Sequence, residues 1–274
     1  MWSISRSRPR SNNIFPMQNS IPETGITYER YRAEGDRRLC IYKRVGFTPL
    51  QALNEVRGYL SAEDSARCTY AGRLDPMAEG WMHLLWSGDM QEKDRLTSVG
   101  KTYEIEILLG VSTDTGDMLG LVDHANVSPS AVFDLSVVSE KALRLVGPFV
   151  HPYPAYSSPR MKATLEGVVQ QVRMQQGRID RIEIISHSVM TGEELYTEVM
   201  TKLSLCRMDG DFRLDSIADG WKAFRTKHSA DRYMKVSIRV DCASGTYMRT
   251  LAEVLGESLG VPALAFGITR VGFL

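Results

Sequence analysis

An aspartate on a glycine-flanked loop is the residue best placed for chemistry in this sequence. Asp75 is followed by Pro76, and Gly72 and Gly80 stand on either side of the pair. Glycine permits tight backbone turns, and proline biases the residue before it away from the helical region. The segment therefore predicts a carboxylate on a stiff loop before the apolar run 81–86, where it could act as a nucleophile or base. An ordinary turn can have the same composition.

Three further segments carry groups that could assist such a carboxylate. Residues 101–120 begin with Tyr103 on an alternating strand and continue into an acidic, glycine-containing loop. Residues 156–158 lie in a proline-rich stretch, and residues 242–249 pass through a Ser-Gly-Thr turn into an amphipathic helix. Arg249 lies off the apolar stripe of that helix, and a guanidinium beside a carboxylate favours its ionised form. Judged singly, Arg249 could be a surface residue and Tyr103 a core residue.

The composition excludes several classes of protein and of site. The 274 residues are 43% hydrophobic, which is enough for a sizeable core, and 33 basic and 33 acidic side chains balance. Zero net charge argues against attachment to nucleic acid by charge alone. No apolar run is long enough to span a bilayer, so no membrane partner is expected. Four cysteines without a CxxC pair and five dispersed histidines disfavour disulfides and metal sites and fit a reducing compartment.

Periodic patterns predict the elements that must position these groups. Strands are predicted at 39–43, 81–86, 101–109, 234–242 and 263–270, with weaker candidates at 178–186 and 199–207. Helices are predicted after Thr48, from Ser128 to about Val146, and after Thr246 up to Gly260. Clean alternation with few helices predicts an α+β fold, with a mostly antiparallel, mixed central sheet flanked by helices.

Two stretches differ from the rest of the chain. Residues 1–37 are basic and lack periodicity, which predicts a disordered extension. It could be a tail, translated sequence before a start at Met17, or, because its first 20 residues are Arg-rich and acid-poor, a transit peptide. Residues 188–232 indicate an irregular insertion, and the four prolines of 147–159 indicate a loop.

The four segments, in this order and at this spacing, resemble the bacterial tRNA pseudouridine-55 synthase family (TruB-type) and its relatives in guide-RNA complexes. The resemblance covers 39–273 except 188–232, and it implies a pseudouridine synthase catalytic domain at 38–274. It also implies a loop–helix RNA-binding insert near 148–176 and the lack of the family's C-terminal RNA-binding domain. The family isomerises a uridine already in RNA. The implied partner is therefore RNA, most simply the tRNA T loop at uridine 55, and the redox-neutral reaction implies no cofactor.

The resemblance also assigns roles to individual residues. It implies that Asp75 is the catalytic carboxylate, that Arg249 pairs with it, and that Tyr103 stacks on the target base. Ile268 matches an apolar residue below the base, and Arg270 matches a nearby cation. The remaining implied substrate-binding positions are Lys43, Tyr70, Arg73, Tyr156, Arg160 and Tyr247. Asp114 and Asp117 are expected to make hydrogen bonds within their loop.

Several positions depart from the family pattern. Tyr70 stands where the family usually has histidine, and Arg73 replaces a small residue. Arg44 follows Lys43 in place of proline, and Arg160 stands where lysine is usual. Arg73 makes the motif similar to that of a pseudouridine synthase family acting on ribosomal RNA. Another RNA target, or a non-catalytic RNA chaperone that kept the fold, therefore stays open. We expect a cytoplasmic monomer, or a mitochondrial protein if residues 1–20 are a transit peptide.

Overall fold

A single sheet of nine strands with seven helices makes up the described part of the chain. The computed structural model describes residues 32–33, 38–86, 90–129, 133–154, 174–206 and 213–274. The strands are β1 (Arg32–Ala33), β2 (Arg38–Lys43), β3 (Thr69–Ala71), β4 (Ala78–Leu85), β5 (Lys101–Leu109), β6 (Gly147–Pro152), β7 (Met174–Thr191), β8 (Arg232–Cys242) and β9 (Ala263–Phe273). The helices are α1 (Pro49–Arg57), α2 (Ala62–Arg67), α3 (Met90–Ser98), α4 (Leu135–Leu143), α5 (Gly192–Ser204), α6 (Leu214–His228) and α7 (Met248–Leu259).

The sheet is mixed and mostly antiparallel, which confirms the predicted fold class. Its strand order is β1-β2-β4-β9-β5-β8-β7-β6, and β3 pairs with β4 outside this path. Only the β4–β9 pair is parallel among the strand pairs of the described residues. Tyr103 on β5 stands opposite Arg270 on β9, and Arg270 stands opposite Gly80 on β4. Because directly paired residues share a face of a sheet, one face collects these three positions.

The core forms where the apolar faces of the central strands meet the helices. Ile105 and Ile107 of β5 are buried, and Leu251 and Leu255 of α7 belong to the same cluster. A second cluster joins β2 and β4 to α1. The predicted capping box of α1 is present, because Thr48 Oγ1 accepts from the Gln51 backbone and the Gln51 side chain accepts from the Thr48 backbone. These clusters fix the strand ends that carry the candidate site.

The prediction of an irregular insertion at 188–232 is wrong for its described residues. The segment contains the end of β7, the helices α5 and α6, and the start of β8, and the strand predicted at 199–207 is replaced by the end of α5. Thr191 and Glu194 form a capping box that starts α5. Each helix buries an apolar stripe spaced by three or four residues: Leu195, Val199 and Leu203 on α5, and Ile217, Trp221 and Phe224 on α6. Both stripes follow the helical period, so these two helices were predictable from the sequence.

Three other predictions change in detail. Residues 147–152 form β6 instead of a loop. Among the described strands, β6 lies at the edge of the sheet and pairs with β7, a position that tolerates proline. The helix predicted from Ser128 begins after Asp134, whose carboxylate accepts from the Ser136 backbone. Arg32–Ala33 pairs with β2, so disorder is wrong there. The rest of 1–37, and residues 155–173 of the predicted RNA-binding insert, lie outside the described residues.

Candidate active site

The predicted carboxylate and guanidinium meet in the folded chain. Arg249 Nε lies 3.0 Å from Asp75 Oδ2, with the Arg249 side chain 4% exposed and the Asp75 side chain 43% exposed. The Nε–H is not directed at the oxygen and makes no hydrogen bond. The contact is therefore an ion pair in which a buried cation faces a carboxylate that solvent, and hence a substrate, can reach.

One arm of the Asp75 loop is held by a buried lysine. Lys43 is fully buried, and its ammonium donates to the carbonyls of Ala78 (2.6 Å) and Pro76 (3.5 Å), just after Asp75. It also donates to two carbonyls of its own turn, those of residues 44 and 47. Burial lowers the pKa of Lys43 to about 7. Because carbonyl groups enclose the ammonium, Lys43 positions the loop in this structure, and its substrate-binding role stays a prediction.

The other arm of the loop is held by a buried arginine. Arg270 donates to the carbonyls of Arg73 (2.7 Å), Gly72 (3.3 Å) and Trp81 (3.3 Å). Gly80 is needed beside it: its φ is +120°, and a Cβ there would lie 2.2 Å from the Arg270 carbonyl oxygen. Two buried cations thus fix the backbone on both sides of Asp75 without using its carboxylate.

Arg249 has a second carboxylate partner that the sequence did not reveal. Its Nη1 donates to the Thr115 carbonyl at 2.9 Å and lies 3.6 Å from Asp117 Oδ2. Asp117 is buried and also accepts from the Leu119 backbone and the Thr115 hydroxyl, both at 2.9 Å. Burial raises the pKa of Asp117 to about 6, against the opposing effect of Arg249. The expected loop hydrogen bonding of Asp117 is therefore present, and with it a grip on the arginine.

Tyr103 and Ile268 lie on the sheet face that carries Arg270. Arg270 Nε donates to Tyr103 Oη at 3.2 Å, and its guanidinium carbon stands 5.5 Å from the ring centroid. Burial raises the pKa of Tyr103, and the charge of Asp75 contributes in the same direction. Ile268 pairs with Ile105 and with Ala78, two residues before Gly80. The structure therefore brings the predicted tyrosine, apolar residue and cation together beside the Asp75 loop.

Aromatic residues form another wall of the site. Tyr247 directly precedes α7, and the rings of His151 and Tyr153 meet it edge-on at 5.6 and 5.7 Å between centroids. The Tyr153 hydroxyl donates to Gln175 on β7. Burial raises the pKa of Tyr247, and Asp75 adds to the rise, which puts the phenol within the field of the carboxylate. The sequence does not point to His151 and Tyr153, because a proline-rich stretch predicts a loop.

The remaining predicted substrate-binding residues have different positions. Tyr70 on β3 packs against the cluster formed by β2, β4 and α1, so its ring is partly buried in that wall. The Arg73 side chain is exposed, at the start of the Asp75 loop. Tyr156 and Arg160 lie outside the described residues. Within the described ranges, no cluster of His, Cys, Asp and Glu is arranged to hold a metal ion, and no helix is long and apolar enough to cross a membrane.

Comparison with known proteins gives one family. Residues 59–202 match the model of the TruB family pseudouridylate synthase (N terminal domain). The chain is 25% identical over 232 residues to tRNA pseudouridine synthase B of Bacillus licheniformis and 29% identical over 256 residues to that of Azoarcus sp.. It aligns over 85% and 93% of its own length and 63% and 67% of theirs. In fold it is similar to the solved structure of a Cbf5–Nop10–Gar1 complex, with a TM-score of 0.50 at 16% identity, over 85% of this chain and 47% of that one.

Proposed function

The chain belongs to the TruB family of pseudouridylate synthases, and from this premise we propose that it isomerises a uridine within RNA to pseudouridine. The observation that carries the proposal is the pairing of a solvent-facing carboxylate, Asp75, with a buried guanidinium, Arg249, 3.0 Å away. Tyr103 and Tyr247 supply aromatic surface within the field of that carboxylate.

The reaction requires the protein mainly to position the uridine and to place a negative charge beside it. The bond between N1 of uracil and C1′ of ribose breaks, the base turns, and C5 bonds to C1′. The proton on C5 leaves, and N1 takes one up, so no group is added or lost. Asp75 supplies negative charge where the sugar becomes electron-poor and an acceptor for a proton. Arg249 keeps that carboxylate ionised and oriented.

The target uridine must leave its stack before it reaches Asp75. Extruding a base costs a few kcal/mol, and stacking on an aromatic side chain returns about 1–3 kcal/mol. We assign this stacking to Tyr103 and Tyr247, whose phenols are affected by the charge of Asp75. Because the chain has no net positive charge, local cations such as the exposed Arg73 must contact the phosphates.

We propose uridine 55 in the T loop of tRNA as the target, and a cytoplasmic monomer as the working form. The names of the curated relatives, each a tRNA pseudouridine synthase B, support the tRNA target. Ribosomal RNA is the second candidate, favoured by Arg73 at the start of the catalytic loop. Pseudouridine mapping across total RNA, with and without the gene, separates the two. A T-loop modification missing from the deletion strain supports tRNA, and an intact one rejects it.

The activity itself is tested with transcripts labelled with tritium at C5 of uridine. We expect tritium release by the native chain and none by Asp75→Asn, while RNA affinity stays within about twofold because the shape of the side chain is kept. Asp94→Asn on α3, an exposed aspartate outside the catalytic loop, is the matched control and should release tritium normally. Full activity in Asp75→Asn overturns the proposal. A dead Asp75→Asn chain that restores growth of the deletion strain favours the RNA chaperone instead.

A further inference from the structure

The helices α5 and α6 lie between two strands, β7 and β8, that a much shorter connection could join. Thr191 at the end of β7 and Arg232 at the start of β8 are direct partners in the antiparallel ladder, so a tight turn would join them. The chain leaves the sheet after Thr191 and is back in it at Arg232. The Gly192 backbone N–H donates to the Asp231 carbonyl, which closes the excursion on itself. The two helices therefore do something other than connect strands.

One side of α6 is attached to the loop that holds Arg249. We call residues 112–122 the acidic loop; it is a narrow turn in which Thr113 bridges Val122. Trp221, fully buried on α6, donates its Nε1–H to the Met118 carbonyl at 3.1 Å. Arg213, the residue before α6, has its Nη1 2.8 Å from Asp114 Oδ2.

These two contacts are made by residues adjacent in sequence to the residues that contact Arg249. Asp114 directly precedes Thr115, whose carbonyl accepts from Arg249, and Met118 directly follows Asp117, whose carboxylate pairs with it. The acidic loop thus contacts α6 on one side and Arg249 on the other. A movement of the loop would be passed to the guanidinium through two contacts.

We propose that α6 is a positioning element for the active site, in which Arg213 and Trp221 fix the acidic loop so that Thr115 and Asp117 hold Arg249 against Asp75. This inference rests on the proposed function, and it assigns a role to a segment that the family motifs leave uncovered. The physical reason is geometric: small displacements of a catalytic group cost large factors in rate.

Removing the ion pair between Arg213 and Asp114 tests the positioning of the acidic loop without unfolding the chain. Its two side chains are 30% and 32% exposed. Ion pairs in contact with solvent contribute little to the free energy of unfolding, so their removal leaves the fold intact. Arg225 on the same helix is the matched control, since it pairs with Glu193 on α5 and lies over the Tyr196 ring instead of the acidic loop.

The test compares Arg213→Ala, Arg213→Lys and Arg225→Ala by single-turnover isomerisation at saturating RNA, with RNA affinity and Tm measured beside it. We expect Arg213→Ala to slow isomerisation about tenfold with affinity within about twofold. Its Tm should fall by no more than about 4 °C. Arg213→Lys should recover most of the rate, and Arg225→Ala should match the native chain. Trp221→Phe, which keeps a ring and removes the donor, should slow the reaction in the same way.

Two further readouts keep the inference separate from the proposed function. Added to Asp117→Asn, the Arg213→Ala change should slow isomerisation less than it does alone, because both act through one guanidinium. Amide hydrogen exchange, which needs no activity, should be faster in residues 113–121 of Arg213→Ala and unchanged there in Arg225→Ala. A native chain that is inactive on every RNA refutes the proposed function. An active native chain whose Arg213→Ala variant shows native rate and native exchange refutes the positioning role alone.

Discussion

Two aspartates share one guanidinium in this protein and differ in almost everything else. The Asp75 side chain is 43% exposed, whereas that of Asp117 is 6% exposed. Arg249 lies 3.0 Å from the first carboxylate and 3.6 Å from the second. The residue type and the cation are the same, so burial separates their roles. The accessible carboxylate can meet a nucleoside, and the buried one can only orient the arginine.

The loops around the two aspartates are fixed by opposite means. The Asp75 loop is held through its backbone carbonyls by the buried cations Lys43 and Arg270, which leaves the carboxylate unused by the fold. Asp117 accepts hydrogen bonds from its own loop, and these contacts occupy one of its oxygens. The reacting carboxylate is thus positioned through its backbone, whereas the Asp117 carboxylate is fixed through Oδ1 and faces Arg249 with Oδ2.

The largest effect is expected where both carboxylates lose their common partner. Arg249→Gln removes the charge that pairs with Asp75 and leaves Asp117 buried without its cation. We expect single-turnover isomerisation to fall by about 100-fold or more, and the free energy of unfolding to fall by about 3 kcal/mol. Single-turnover kinetics measure the change in rate, and chemical denaturation measures the change in the free energy of unfolding. Arg249→Lys keeps a cation that cannot span both carboxylates and should be intermediate. A native rate in Arg249→Gln would show that the pairing is irrelevant to the reaction.

Neutralising the buried partner should have a smaller and pH-dependent effect. Since burial raises the pKa of Asp117 to about 6, the native rate should decline as the pH falls through that value and Arg249 loses a charged partner. Asp117→Asn should be about tenfold slower at neutral pH and lack this decline. Measuring the rate of both proteins against pH tests this expectation. If the rate of Asp117→Asn declines in acid as the native rate does, a group other than Asp117 causes the decline.

The same carboxyl group affects stability in the opposite direction. Its pKa in the folded chain is about 6, against 3.8 for an ordinary aspartate, so the folded chain binds the proton more tightly. The contribution of Asp117 to the free energy of unfolding therefore rises as the pH falls from about 6 to about 4. Denaturation of the native chain and of Asp117→Asn over this range isolates the contribution, and it separates a loss of rate in acid from unfolding.

Loosening the support of the exposed aspartate should cost less activity than removing its charge partner. Arg270→Gln cannot reach the carbonyls of Gly72 and Arg73 together, so we expect the rate to fall about fivefold. RNA affinity should be nearly unchanged, because Arg270 is buried. Single-turnover rates at saturating RNA measure this. A large loss of RNA affinity with a native rate would make Arg270 a substrate contact instead of a support.

The smallest effect is expected at the stacking tyrosine when its ring is kept. Tyr103→Phe removes only the hydroxyl that accepts from Arg270, so the rate should fall by about threefold or less. Tyr103→Ala, which removes the stacking surface, should lose much more. Tyr59→Phe, in the turn after α1, is the control. Equal losses in Tyr103→Phe and Tyr103→Ala would assign the role to the hydroxyl and not to the ring.

The motif residues and the pairing of Asp75 with Arg249 were predictable because they match a family pattern, whereas the contacts that hold these residues in place were not. Asp75, Arg249 and Tyr103 were predicted and lie together in the structure. The contact between Asp117 and Arg249 joins positions far apart in the chain, which no spacing rule reveals. The burial of the Lys43 ammonium was not predictable, since a sequence does not show which way a lysine points. The helices α5 and α6 had visible signals, a capping box and stripes of period three to four. Tyr156 and Arg160 stay predictions.

The most direct test of the separate roles of the two aspartates compares Asp75→Asn with Asp117→Asn in one single-turnover assay. The enzyme is in excess over labelled RNA at neutral pH. Both changes remove one negative charge beside Arg249 and keep the shape of the side chain. We predict that Asp117→Asn still converts the RNA, about 100-fold faster or more than Asp75→Asn. Equal rates in the two variants, or a faster reaction in Asp75→Asn, would contradict the claim that the exposed carboxylate performs the chemistry and the buried one positions the arginine.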